Sequence, residues 1–254
     1  ILENSLIDAI TYKQASRAYQ KGDLERMVGM SSSMVFEQTE VFPTPETEAM
    51  NCVSPHTTYG FSKLHQEYIA KGCREQYNLP TTILRAFNCI GIGEQRAILD
   101  VETITSGNYK LMLSHVLPDV VVKTLLSNGN AIDLFTPGTQ RRAYTHGKSI
   151  AEGIRLAMES PNGLNNDFNI SVDRTHTVLE LAKLVWDYVY PGTEMKYNLV
   201  PGFDKDVMVR IPDTNKAKEL LGFEAKITLE DTIKEVVDHF REHDEILNSV
   251  VNHV

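Results

Sequence analysis

The order of elements between residues 27 and 88 constrains the fold of this chain more than any other feature. Met27–Ser31 (MVGMS) is an apolar run that predicts a short strand, and Thr81–Phe87 (TTILRAF) is rich in strand-forming residues. Between them, residues 57–77 place apolar side chains at helical spacing. Parallel strands need a long connection, which is usually a helix. The stretch therefore predicts an α/β fold with a parallel sheet.

The same alternation of helix and strand continues along the chain. Further helices are predicted at 3–21, at 116–127, from Thr177 and from Thr228, and further strands at 131–135 and 168–171. The helix at Thr177 has the clearest start, because Glu180 follows three residues later and completes a capping box. This pattern indicates a fold class and names no function.

Composition narrows the classes of protein that the chain can belong to. The 254 residues carry a net charge of −9, so the chain lacks the overall basic character typical of nucleic-acid binding. No run of about 18 apolar residues occurs, so we expect no membrane span. Cys52, Cys73 and Cys89 are too few and too irregular for a disulfide scaffold or a zinc site. We therefore predict a cytoplasmic protein without a metal site.

A serine, a tyrosine and a lysine within residues 31–63 suggest chemistry. Tyr59 and Lys63 are four residues apart, which places them one turn apart on one helix face. An ammonium close to a tyrosine favours the phenolate. Ser31–Ser33 end the preceding strand, where a hydroxyl could hold a substrate oxygen. Such a trio can take a proton from an alcohol while a cofactor takes the hydride.

With these motifs in place, the sequence resembles the extended short-chain dehydrogenase/reductases, in particular the NAD-dependent epimerase/dehydratase group that acts on nucleotide sugars. The matching segments occur in the family's order from about residue 2 to about residue 240. They are VGMSSSMVF (28–36), YGFSK (59–63), LRAFNCIGIGE (84–94), SHVLPD (114–119), GTQRRAYTHGKSIAEGI (138–154), DFNIS (167–171), TVLELAKLVW (177–186) and IPDTNKAKELLGF (211–223).

The resemblance implies an architecture. The fold would be a Rossmann-type, doubly wound parallel sheet with a smaller C-terminal substrate domain. Residues 1–88 would form the second part of the NAD(P)-binding domain. Residues 89–254 would be mostly substrate domain, with segments near 130–175 returning to the sheet. The helices at 3–21 and 57–77 would form a homodimer interface.

The resemblance also assigns roles to individual residues. Ser32 matches the active-site hydroxyl, Tyr59 the catalytic base or acid, and Lys63 the lysine that binds the nicotinamide ribose. The remaining assignments are Ser31 and Phe87 at the cofactor, Ser33 and Asn88 at the sugar nucleotide, and His115, Val116 and Arg142 at the diphosphate. A guanidinium suits that last position, because its planar fork can bind phosphate oxygens in pairs.

One family motif is missing from the sequence. The GxxGxxG turn that cradles the cofactor pyrophosphate is not found, and Gly91-Ile92-Gly93 follows a later strand. The chain begins at Ile1, so we expect a longer natural protein that carries the first half of the cofactor domain. The alternatives are a remnant that has lost this half and a chain whose partner supplies it. The residue that would distinguish NAD from NADP belongs to the same half.

A second departure bears on the reaction. Family dehydratases place an acidic residue two positions after the active-site hydroxyl, where this chain has Met34. Methionine cannot act as the acid that expels water. The resemblance therefore implies NAD-dependent epimerisation of a nucleotide-diphosphate sugar, most simply at C4. The alternatives are a dehydratase or reductase of the same family and a non-catalytic remnant or sensor.

Overall fold

In the computed structural model, the described residues are 2–94, 116–202 and 206–243. The helices are α1 (Leu2–Lys21), α2 (Glu48–Asn51), α3 (Thr58–Tyr77), α4 (Val116–Leu126), α5 (Gly147–Glu159), α6 (Val178–Val189), α7 (Asn215–Leu221) and α8 (Leu229–Glu242). The strands are β1 (Met27–Ser32), β2 (Thr81–Ala86), β3 (Cys89–Ile90), β4 (Ile132–Phe135), β5 (Arg141–Arg142), β6 (Thr145–His146), β7 (Asp167–Ile170), β8 (His176–Thr177), β9 (Tyr197–Val200) and β10 (Val209–Arg210). None of the helices in these ranges is long and apolar enough to span a membrane.

The described chain divides into two compact units. The first consists of Ile1–Asn88, Lys148–Arg174 and Arg210–Lys226, and the second of Cys89–Gly147, Thr175–Val209 and Ile227–Val254. The first unit contains a three-stranded sheet of order β1-β2-β7, in which all neighbours are parallel. The predicted α/β class with a parallel sheet is therefore confirmed.

Side chains of a strand point alternately to the two faces of a sheet, and helices cover both faces of this one. On one face, Ile83 packs with Tyr12 of α1 and Ala70 of α3. On the other face, Leu84 packs with Ile150 of α5 and with α7. The result is the two-sided cover of a doubly wound sheet.

The segments near 130–175 divide between the two units. Strand β7 joins the sheet beside β2, whereas β4 pairs in parallel with β9 in the second unit. Ile132 and Leu134 face the apolar cluster of that unit, so burial of this face fixes their pairing. Residues 210–226 also belong to the first unit.

The second unit has its own core. Trp186 of α6 is almost fully buried among side chains of α4 and α8. Helix α6 starts with the predicted capping box, in which Thr177 Oγ1 accepts from the Glu180 amide and the Glu180 carboxylate accepts from the Thr177 amide. Helix α8 begins in a related way, because Thr228 Oγ1 accepts a hydrogen bond from the Asp231 amide.

Candidate active site

The candidate site in the first unit begins where β1 ends. Residues 33–36 form one short helical turn after Ser32, and the Ser32 hydroxyl oxygen accepts a 3.2 Å hydrogen bond from the Met34 amide. Ser33 is buried, whereas Ser32 is half-buried. Parallel sheets bind ligands at the carboxyl ends of their strands, which is the position of this turn.

Helix α3 begins directly against this turn. Thr57 caps the helix by accepting from the Gly60 amide at 3.1 Å. A Cβ atom on Gly60 would lie 2.7 Å from the Met34 carbonyl oxygen and 2.7 Å from Pro55 Cβ. Only glycine allows so close an approach. The first turn of α3, which carries Tyr59, is thereby seated beside the turn that carries Ser32.

Lys63 ties the same helix to the end of the strand. Its Nζ donates a 3.0 Å hydrogen bond to the Met30 carbonyl oxygen and lies 3.4 Å from Gln66 Oε1. Tyr59, one turn earlier, is 45% exposed. The phenol is therefore accessible to a ligand, and the lysine is anchored to the strand that leads into Ser32.

Two further predicted residues follow β2. Phe87 is fully buried, and its ring stacks on Phe36 with centroids 6.1 Å apart. Asn88 adopts a left-handed conformation with φ of 33°. This turn redirects the chain directly after the strand, next to the ends of its neighbours in the sheet.

Beneath these residues lies a charged cluster that was not predicted from the sequence. Arg85 Nε and Nη2 donate to the two oxygens of Glu67 at 2.9 and 2.7 Å, and Nη1 donates to Asp167 at 2.8 Å. Burial acts to lower the pKa of Arg85, but Glu67 and Asp167 raise it. The Ser31 hydroxyl donates to Glu67, so a cofactor contact by Ser31 would use its main chain. The sequence contained a signal for Glu67, because this residue follows Tyr59 by two helical turns.

The second unit contains Arg142 on β5. Its Nη2 donates to Asp206 Oδ1 at 3.0 Å, and Gln140 donates to the other oxygen of Asp206 at 3.0 Å. Burial lowers the pKa of Arg142, while Asp206 acts in the opposite direction. Val116 is the half-buried first residue of α4, and His115 lies outside the described residues.

The structure thus brings Ser32, Tyr59 and Lys63 onto two neighbouring elements of one unit. Phe87 and Asn88 belong to the same unit, and Arg142 and Val116 belong to the other. Within the described ranges, no group of three or more histidine, cysteine, aspartate or glutamate side chains is arranged to hold a metal.

Known proteins share this sequence pattern and fold. Residues 4–171 match the model of the NAD dependent epimerase/dehydratase family. UDP-glucuronic acid decarboxylase 5 of Arabidopsis thaliana is 26% identical over 218 residues, which cover 85% of this chain and 58% of that protein. UDP-glucuronic acid decarboxylase 1 of Danio rerio is 24% identical over 85% of this chain and 47% of that protein. The chain spans about half the length of the curated relatives it matches.

Solved structures of nucleotide-sugar epimerases are also similar to this chain. The UDP-glucose 4-epimerase of Thermotoga maritima matches with a TM-score of 0.69 and 29% identity, over 90% of this chain and 67% of that one. The UDP-glucuronic acid 4-epimerase of Bacillus cereus, at 18% identity, has the same fold, with a TM-score of 0.72 over 92% and 67% of the two chains. The family match covers most of the chain, including β1, α3 and β2, and the chain therefore belongs to the NAD dependent epimerase/dehydratase family.

Proposed function

We propose that the protein epimerises a nucleotide-diphosphate sugar at C4 with NAD as cofactor. The observation that carries this proposal is the attachment of α3 to the end of β1, through Lys63 on Met30 and Gly60 against Met34. This attachment brings the first turns of α3, which carry Tyr59 and Lys63, beside the end of β1, which carries Ser32. Their phenol, ammonium and hydroxyl are the groups that oxidation of a secondary alcohol requires.

The donor set at this strand end fits the nicotinamide end of NAD. Lys63 has three N–H donors, and its described acceptors are Met30 and Gln66, so one donor remains for a ribose hydroxyl. The pyrophosphate would need a glycine-rich loop, which is not found in the 254 residues. We propose that this loop belongs to a longer natural chain. When bound, NAD supplies hydride acceptance from the sugar carbon and hydride return.

The residues of the chain then move one proton. Tyr59, as the phenolate, takes the proton of the C4 hydroxyl as the C4–H bond breaks. It returns this proton to the C4 oxygen after the keto-sugar has rotated and presents its opposite face to the cofactor. Lys63 stabilises the negative charge on the tyrosine oxygen, and Ser32 donates a hydrogen bond to the C4 oxygen throughout. No proton or electron pair is lost, so the net reaction is an isomerisation.

The remaining site residues are proposed to bind the two ligands. Arg142, with His115 and Val116, would bind the diphosphate. Ser33 and Asn88 would contact the sugar nucleotide, and Ser31 and Phe87 would border the cofactor. Arg142 is buried and already bound to a carboxylate. Its Nη1 donates to the Arg141 carbonyl oxygen and its Nη2 to Asp206, so these bonds hold the guanidinium in one orientation.

A second candidate is decarboxylation of a nucleotide uronic acid. The observation that favours it is the similarity to UDP-glucuronic acid decarboxylases from Arabidopsis thaliana and Danio rerio. The same trio would take the C4 hydroxyl proton while the hydride passed to NAD. Carbon dioxide would then leave from the neighbouring carbon, which would take up a proton, and hydride and proton would return to C4 and its oxygen. Dehydration is disfavoured, because Met34 occupies the position of the acid.

We also propose a cytoplasmic homodimer that forms through α1 and α3. Helix α1 packs inward through Tyr12 and Ser16, so Leu6, Ile7 and Ile10 remain exposed. Phe61 on α3 is also exposed. Ile7→Glu would convert such a dimer to a monomer in light-scattering measurements, whereas Glu25→Lys outside these helices would not.

The experiment that tests the function uses the natural full-length protein. The protein is denatured, and the released nucleotide is identified by mass and absorbance. UDP-sugars and UDP-uronic acids are then incubated with the native enzyme, and the products are resolved by NMR. Bound NAD near one per chain and a C4 isomer would support epimerisation. Release of carbon dioxide would favour decarboxylation, and absence of both NAD and turnover would refute both enzyme proposals.

A further inference from the structure

The buried carboxylate of Glu67 takes no part in the proton transfer proposed above. It is 8% exposed and lies one turn after Lys63 on α3. Tyr59, Lys63 and Glu67 are spaced four residues apart, so they share one helix face. A buried carboxylate is costly unless it is bonded, so its partners show what holds it in place.

Two neighbouring strands bind this carboxylate together. The Ser31 hydroxyl donates to Oε1, and Arg85 donates to Oε1 at 2.9 Å and to Oε2 at 2.7 Å. Ser31 and Arg85 are Cα partners in the β1–β2 register. Both side chains therefore project from the sheet face on which α3 packs. A two-bond arginine–carboxylate pair restricts orientation as well as distance.

The helix is consequently attached to β1 at two consecutive residues. Met30 accepts from Lys63, and Ser31 donates to Glu67. Two attachments one helical turn apart oppose both sliding and rotation of α3 against the strand. Ser32, the next residue of β1, and Tyr59, two turns before Glu67, extend from these attached segments.

We propose that Glu67 is a positioning residue, which acts through Ser31 and Arg85 to set the place of the Tyr59 phenol relative to the Ser32 hydroxyl. This inference rests on the proposed function, because it concerns the geometry of the same proton transfer. A displacement of about 1 Å between reacting groups can lower a rate about 100-fold. Loss of the attachment should therefore affect turnover more than substrate binding.

The test compares variants of the natural full-length enzyme on whichever nucleotide sugar it turns over. Ser31→Ala removes one bond and leaves the Arg85–Glu67 pair, so it keeps the test open if Glu67→Gln fails to fold. The matched control is Asp167→Asn, because Asp167 binds the same guanidinium at 2.8 Å but connects β7 to β2 and α7. Each variant is measured for kcat, KM, bound NAD per chain and unfolding midpoint.

We expect Ser31→Ala and Glu67→Gln to lower kcat about 10- to 100-fold, with KM and bound NAD within about twofold of the natural enzyme. Asp167→Asn should lower the unfolding midpoint and leave kcat within about twofold. The double variant Ser31→Ala/Glu67→Gln should lose little more kcat than Glu67→Gln alone, because both changes break the same attachment of α3 to β1.

Three results would overturn the proposal, and they are distinguishable. An active natural enzyme with unchanged kcat in both Ser31→Ala and Glu67→Gln would refute the positioning role and leave the function intact. The positioning role would also be refuted if kcat in Ser31→Ala and Glu67→Gln fell only in proportion to the unfolding midpoint. Asp167→Asn would then lower kcat by a similar amount for the same loss of unfolding midpoint. A natural enzyme without NAD and without turnover would refute the proposed function and the positioning role with it.

Discussion

The Nζ atom of Lys63 donates a 3.0 Å hydrogen bond to the carbonyl oxygen of Met30, which joins helix α3 to the carboxyl end of β1. Met30 lies two residues before Ser32, and Lys63 lies one turn after Tyr59. This one hydrogen bond thus connects the helix that carries Tyr59 and Lys63 to the strand that carries Ser32.

Replacement of Lys63 by methionine should reduce turnover by about 100-fold. Methionine keeps much of the aliphatic volume but removes the ammonium that stabilises the tyrosine oxygen and bonds Met30. Steady-state kinetics of the full-length enzyme measure the effect. Lys71→Met on the exposed side of the same helix is the control and should retain activity. Comparable activity in the two variants would contradict the role of Lys63.

Removal of the Tyr59 hydroxyl should lower kcat about 10²- to 10⁴-fold with little change in stability. The deprotonated oxygen of this hydroxyl is the proposed proton acceptor, and general bases contribute about 10²- to 10⁴-fold. The side chain is 45% exposed, so loss of one oxygen should change the free energy of unfolding by less than about 0.5 kcal/mol. Tyr68→Phe, on the same helix and 51% exposed, is the matched control. A Tyr59→Phe enzyme with the kcat of the Tyr68→Phe control would refute the mechanism.

The close contact between α1 and β1 predicts a coupled pair of stability effects. A Cβ atom on Gly29 would fall well inside contact distance of the Tyr12 hydroxyl. Gly29→Ala should therefore cost about 1–3 kcal/mol of unfolding free energy. The Tyr12 hydroxyl is buried without a hydrogen-bond partner in the described part of the chain. Tyr12→Phe alone should thus be neutral or stabilising, and it should reduce the cost of Gly29→Ala.

Denaturant unfolding of the two single variants and the double variant measures this coupling. Equal costs of Gly29→Ala in the two backgrounds would show that the tyrosine oxygen is not the obstacle.

Glu46 predicts a pH dependence of stability. Burial raises the pKa of this carboxyl, although the Asn169 amide that donates to it at 2.8 Å acts in the opposite direction. A carboxyl with a raised pKa in the folded state stabilises most below its unfolded pKa, and the contribution is lost as pH rises through the folded pKa. Glu46→Gln keeps an acceptor for Asn169 and cannot ionise.

The glutamine variant should therefore unfold at a higher temperature than the natural protein near pH 8, by an amount on the order of 2–4 °C. The difference should shrink towards pH 4, where the natural carboxyl is increasingly protonated. Thermal melts across this pH range measure it. A constant difference at all pH values would exclude ionisation of Glu46 as the cause.

Arg142→Lys should raise KM for the nucleotide sugar by about 10- to 100-fold and leave bound NAD unchanged. Lysine keeps the charge but loses the planar fork that binds two oxygens. Arg155→Lys, exposed on α5, serves as the control and should leave KM unchanged. Unaltered KM in Arg142→Lys would remove this residue from the proposed diphosphate site.

The sequence predicted those elements well that depend on interactions between residues close together in the chain. The capping box at Thr177 and Glu180 and the strand ending in serines are formed by neighbours in the chain, so spacing reveals them. The face of α1 was harder to interpret. Leu6 and Ile10 share a face with helical spacing, yet Tyr12 and Ser16 are the buried residues. Spacing shows that a face is apolar and does not show what covers it.

Contacts between residues far apart in the sequence could not be predicted from these local patterns. Strand β4 pairs with β9, some 65 residues away, because apolar side chains of the second unit cover one face of that pair. Ser31, Glu67 and Arg85 come from β1, α3 and β2, and no short motif connects them. The sequence by itself determined the α/β class, the family and the serine, tyrosine and lysine of the candidate trio, because those features depend on local order and spacing. Only the tertiary structure decided that Glu67 joins α3 to two strands, because a buried ion pair forms where distant segments pack together and exclude water.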